Sequence, residues 1–225
     1  MRTILMLVST CAAFAQQPTR GSIFGMVKGE DGTTIREAQV ILRWEENSAP
    51  ARPKRSAWER QTGDDGGFRF DGLPNGDYRL CVQAKDPAWL NPCEWGQKAP
   101  AATISSLRQS AELTHTLEKG ALVAVRIDDP GGFLIRTPAA HVLVGVGNDA
   151  GMFHPASITS TDRVGRNLQL AIPFDRPSKI AIGSSVFRLA DAQGLAQPAF
   201  RSVPLTVPRG VSPSILRVII IGSGK

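Results

Sequence analysis

Side chains that most often carry catalysis or bind metal are scarce in this 225-residue chain, which has three histidines, three cysteines and a single tyrosine. No two of His115, His141 and His154 have the short spacing that places two zinc ligands on one element. No serine sits in a G-x-S-x-G turn, so that common hydrolase signature is missing. The closing Gly222-Ser223-Gly224-Lys225 lacks the upstream glycine of a phosphate loop and reads as a frayed tail. We therefore expect no catalytic residues, no metal site and no cofactor. A metal-dependent hydrolase using the three histidines is the one catalytic reading left open.

Long apolar runs are missing as well. Only the opening MRTILMLVSTCAAFAQQ has one, and it is far shorter than the ~20 residues of a membrane span. One arginine, an apolar stretch and Ala13-Phe14-Ala15 form the pattern of a secretory signal peptide over residues 1–15, with the mature chain starting at Gln16. No transmembrane anchor is expected, and the location is periplasmic or secreted. Lipid attachment at Cys11 is disfavoured because Thr10, rather than Gly or Ala, precedes it. Export leaves two cysteines, Cys81 and Cys93, and an even count in an oxidising compartment reads as one disulfide. Two unpaired thiols are the alternative.

Charge of one sign does not dominate either. Removing the leader takes away Arg2 alone, leaving 25 basic against 20 acidic residues. That mild surplus suits anionic envelope material but is no nucleic-acid signature. The basic run Ala51-Arg-Pro-Lys-Arg55 has no interleaved aromatics and reads as a solvated loop.

What the chain does have is turn residues, with 22 glycines and 16 prolines, between stretches of strict alternation. Ile23, Gly25 and Val27 share a face, as do Ala38, Val40, Leu42 and Trp44, and a third strand is expected near Trp58 to Thr62. In TGDDGGFRFDGLPNGDYRLCVQA, residues 62 to 84, Asp64 to Gly67 and Leu73 to Asp77 read as turns around a hairpin of Phe68, Phe70 and then Tyr78, Leu80, Val82. None of its aspartates starts the oxygen spacing of a helix-flanked calcium loop. A strand through Ala111 to Leu117 closes a first domain, and LVAVRID opens a second near Gly120. Further β-rich runs follow at 141–146, 152–161, 167–172, 179–182, 186–189 and 215–221. The expected class is all-β, two β-sandwich domains at 16–118 and 119–225.

The stretches GSIFGMV at 21–27, EDGTTIREAQVIL at 30–42 and DGGFRFDGLPNGDYRLCV at 65–82 together resemble the carboxypeptidase regulatory-like domain. That family is related to transthyretin-like folds and to the B-type repeats of bacterial adhesins. The resemblance spans residues 21 to about 118 and implies a seven-stranded prealbumin-like sandwich, commonly an exported accessory module. Glu37 departs from the pattern, standing where the family usually has the glycine of a Gly-Ala pair. A lysine-to-asparagine crosslink of some adhesin relatives would draw on Lys28, but residues 105–118 contain no asparagine. Residues 119–225 resemble no named family.

Trp89 and Trp95 flank Cys93 on the segment that the disulfide would close. With Trp58 they are candidates for stacking on sugar rings, the alternative being that they cover a hydrophobic edge. The functional expectation is an exported, non-enzymatic binding or structural module of the cell envelope or extracellular space. Its partner is a glycan or another envelope protein. Oligomeric state does not follow from the sequence.

Overall fold

The structure, a computed structural model, describes residues 20–45, 55–96, 98–137, 141–147 and 152–224. The expected signal peptide at 1–15, Cys11, most of the 45–57 loop and Lys225 lie outside the described residues. Among the described residues no helix is long and apolar enough to cross a membrane.

Seven strands build the first sandwich: β1 (Gly21–Gly29), β2 (Gln39–Trp44), β3 (Ala57–Gln61), β4 (Gly67–Leu73), β5 (Gly76–Gln83), β6 (Ala101–Ile104) and β7 (Ser110–Leu117). They form two sheets, ordered β4-β1-β7 and β3-β2-β5-β6, with β1 and β7 parallel. Alternation places Ile23 and Val27 of β1, Val40 and Leu42 of β2, Phe70 of β4 and Tyr78, Leu80 and Val82 of β5 in one buried cluster. Each such side chain contributes about 1.5–3 kcal/mol of burial, so the alternating faces rather than strand propensity hold the sheets together.

The expected hairpin at 68–82 is not one. Strand β4 pairs with β1, while β5 pairs with β2 and β6, so residues 73–77 carry the chain from one sheet to the other. Period-two burial says which face is inside but not which strand is the neighbour. The Tyr78 hydroxyl, donating to Pro74 O at 2.5 Å, ties this corner down. The preceding corner works as expected of aspartate and glycine. Asp65 accepts from Gly67 N at 2.8 Å, and Gly66 has φ 74° with no room for a Cβ beside Val27 O.

The second sandwich comprises β8 (Gly120–Asp128), a one-turn α1 (Phe133–Arg136), β9 (Leu143–Gly147), β10 (Phe153–Pro155), β11 (Ser157–Asp162), β12 (Gly165–Pro173), β13 (Ser178–Gly183), β14 (Phe187–Ala190), β15 (Phe200–Leu205) and β16 (Leu216–Ser223). Its sheets run β11-β12-β8-β16-β14 and β10-β9-β13-β15. Remove the edge strands β11 and β14, and the order is that of the first sandwich. First and last strands are again parallel neighbours, and a middle strand pairs with the first from the other side. The two halves thus repeat one topology, a relation their sequences hide.

The run at 152–161 divides at Ala156 into β10 and β11, which belong to opposite sheets, and β6 and β15 were not anticipated. The Asp-Pro-Gly-Gly turn continues into α1, because both Asp129 carboxylate oxygens accept from Phe133 N and Leu134 N at 2.8 Å. A second buried cluster, from Ala121 to Ile220, fills this sandwich.

Candidate functional site

The acids of the 62–84 stretch serve the backbone and their neighbours. Asp71 pairs with Arg69 at 2.9 Å and Asp77 accepts from the Thr103 hydroxyl. Among the described residues no three His, Cys, Asp or Glu side chains are grouped so as to hold a metal ion. Nor are the histidines gathered. His115 points inward from β7 at 6% exposure, the His141 carbonyl accepts from the Ser184 hydroxyl, and His154 lies on β10. Burial holds the His115 imidazole down to about 4, and its Nε2 has no hydrogen-bond partner among the described residues.

Cys81 and Cys93 are joined, with their Cα atoms 5.6 Å apart. The loop they close is pinned from within: Asn91 Oδ1 accepts from Cys93 N at 3.1 Å, and Asp86 Oδ1 accepts from Ala88 N at 2.9 Å. It is also where the two sandwiches meet. Only Glu118 and Lys119 separate β7 from β8, and the loop lies against that crossing. Leu90 N donates to Glu118 O at 2.9 Å and Gly120 N to Ala88 O at 2.7 Å. A Cβ on Gly120 would press into Leu90, so this glycine permits the close approach.

The tryptophans divide between the cores. Trp89 is 7% exposed within the first cluster, with Lys119 Nζ 5.3 Å from its ring centroid. The loop turns Trp89 inward, where apolar area is worth most. Trp95 packs against the second cluster and stacks on His154, with centroids 4.8 Å apart and planes 21° apart. His154 Nε2 donates to Glu94 O at 3.2 Å, and its Nδ1 lies 3.6 Å from the Glu94 carboxylate. Trp58 stands apart on β3, edge-on to Tyr78, with the Arg55 guanidinium 5.8 Å from its ring centroid. The structure thus brings Trp89 and Trp95 together at the joint and leaves Trp58 elsewhere.

Two ion pairs cross the same joint. Arg209 meets Glu30 at 2.6 Å, lowering the Glu30 carboxyl and raising the guanidinium, and Arg176 meets Glu118 at 2.6 Å. A crevice of about 110 Å³ remains beside the loop, bordered by Trp95, Asn91, His154 and Gln169.

A larger cavity, about 650 Å³, lies on the outer face of the five-stranded sheet. Arg126, Thr159, Asn167, Gln169, Ile215 and Arg217 line it. None of these was singled out from sequence, where N-L-Q-L-A-I reads as an ordinary strand with a wet face. The pairing of β8 with β16 is what sets Arg126 beside Arg217.

No family model matches the chain, and no curated protein matches it. Among solved structures it is similar to a streptococcal ancillary pilin at 11% identity, covering 90% of this chain and 62% of that one with a TM-score of 0.46. It is also similar to GBS52, the minor pilin of Streptococcus agalactiae, at 11% identity over 91% of this chain and 98% of that one, TM-score 0.41. Hydroxyquinol 1,2-dioxygenase from Pseudomonas putida DLL-E4 matches at 9% identity over 47% of this chain and 58% of that one, TM-score 0.35. The chain spans less than two thirds of the ancillary pilin's length.

Proposed function

We propose that the chain is an exported, non-enzymatic binding or structural module of the cell envelope or extracellular space. Its domains are 16–118, of the carboxypeptidase regulatory-like type, and 119–225. The observation that carries the reading is the disulfide-closed loop. One of its indoles belongs to the first core, the other packs on the second, and its backbone bonds to the crossing between them. A disulfide in that position suits an oxidising compartment, and so does the leader-like start. The reading also draws support from the histidines, which stand in three separate settings.

The test is location and thiol state in cells producing the full-length chain. The expected result is a mature species beginning at Gln16 in the periplasmic or extracellular fraction, with neither Cys81 nor Cys93 labelled by a thiol reagent. A cytoplasmic species with both thiols free would sink the proposal.

A further inference from the structure

The outer face of the second sandwich carries a groove that neither the fold nor the joint accounts for. Its floor is Ala124 of β8 with Asn167 and Gln169 of β12, and its walls are Thr159 of β11 and Ile215 ahead of β16. Gln169 also borders the crevice at the joint, whose lining includes Trp95. From Asn167 to Ala171 the strand rises about 13 Å. The larger hollow alone, at about 650 Å³, falls in the range of roughly 300–1,000 Å³ typical of small-ligand sites.

The lining narrows the class of occupant. Charge is cancelled on the spot: Arg126 binds Asp162 at 2.7 Å and Asp128 at 3.0 Å, and Arg217 binds the other oxygen of Asp128 at 2.7 Å. Four alternating charges in one ladder leave little field to draw a polyanion. Backbone partners for a peptide strand are confined to the short β8 stretch ahead of Val125, since β12 from Gly165 to Gln169 and β8 from Val125 to Asp128 are paired on both sides. Recognition therefore falls to side chains. The Gln169 carboxamide has no hydrogen-bond partner among the described residues, and it both donates and accepts. Ala124 leaves a small apolar floor, and Ile215, 63% exposed, leaves an apolar wall. Hydroxyl groups on a ring with apolar faces match that mixture of amide, guanidinium and hydrocarbon.

We propose that this groove binds a neutral oligosaccharide, with Gln169 and Asn167 as its hydrogen-bonding residues and Ala124 and Ile215 as its apolar contacts. This goes beyond the proposed role as an exported module and moves the sugar site from the indoles of the disulfide loop to the sheet face.

Calorimetric titration of the full mature chain with cellotetraose, laminaritetraose, chitotetraose and xylotetraose tests it. At least one should bind saturably. Gln169→Leu, which keeps the size and removes the amide, should weaken that binding about tenfold or more. Ala124→Phe, which fills the floor from the solvent side, should abolish it, while Trp58→Ala on the other sandwich leaves it unchanged. The proposal is overturned by no binding of any of the four sugars, by binding that survives Ala124→Phe, or by capture of a sulfated tetrasaccharide alone.

Discussion

At the scale of single residues, Glu37 is where the sequence departs from its resemblance and where the backbone shows the consequence. Its φ is 52°, in the left-handed region that an L side chain occupies at a cost and glycine occupies freely. The corner tolerates this because Thr62, 4% exposed, clamps both sides of it. Its hydroxyl donates to Ile35 O at 2.7 Å and accepts from Ala38 N at 2.9 Å. Glu37 also pairs with Lys85 at 2.6 Å, but both side chains are largely in water, so that contact offsets little. Glu37→Gly is expected to raise the thermal midpoint by about 2–4 °C. Glu37→Gln, which loses the charge and keeps the Cβ, should not raise it. Differential scanning calorimetry of the two variants separates backbone strain from charge.

His115 supplies a pH dependence whose sign is fixed by burial. Unfolded, the imidazole takes a proton near 6.5, whereas inside the sandwich desolvation delays this to about 4. Below 6.5 the unfolded chain binds a proton that the folded chain refuses. Stability is therefore intact at neutral pH, falls between about 6.5 and 4, and levels off beneath that, by at most about 3 kcal/mol. Urea unfolding from pH 7.5 to 3.5 should show this loss, and His115→Leu should remove that part of the slope. An unchanged slope in the variant would place the effect on the carboxylates instead.

At the scale of elements, the disulfide loop carries the most weight per residue. In the chain-entropy account, cross-linking residues 12 apart stabilises by about 2–3 kcal/mol. Replacing both cysteines by serine should cost about that much in denaturant titration at constant m-value. The pairing was legible from the cysteine count once export was inferred. The position of the loop at the joint was not, because nothing in CVQAKDPAWLNPC says that Trp89 faces one core and Trp95 the other. Strands showed the same split between what is local and what is not. Alternation in Val40 to Trp44 or Leu168 to Ile172 marked the inward face, since burying every second residue leaves a period of two. Partnership is set by topology, so β4 and β5 were joined on paper although they lie in opposite sheets. Strands β6 and β15 escaped because Ala101–Ile104 is too short to show a period and Phe200–Leu205 is an edge with Pro204 in it. The groove left no trace in sequence for a related reason, as its polar residues occupy the alternate positions that any solvated sheet face would fill.

At the scale of the whole molecule, the question is whether two sandwiches of one topology unfold as one. Two kinds of contact join them, and their magnitudes differ. The Glu30–Arg209 and Glu118–Arg176 pairs are partly exposed, and pairs of that kind are typically worth about 0–1 kcal/mol each. Trp95 is a large aromatic wedged against the second core and stacked on His154, the sort of anchor whose loss from an interface costs 2 kcal/mol or more. Leu90 and the backbone bonds around Gly120 add to that side. The wedge, and not the charges, should therefore set the coupling. Calorimetry of the two-sandwich protein is expected to show one transition, which persists in 0.5 M salt where the screening length is only a few ångströms. Arg209→Gln should leave it single. Trp95→Ala should broaden it or split it into two, because each sandwich keeps its own buried cluster when the anchor between them is gone. If Trp95→Ala unfolds in one step at the original midpoint while high salt splits the parent, the ion pairs hold the joint, and the disulfide loop shapes only the sandwich it springs from.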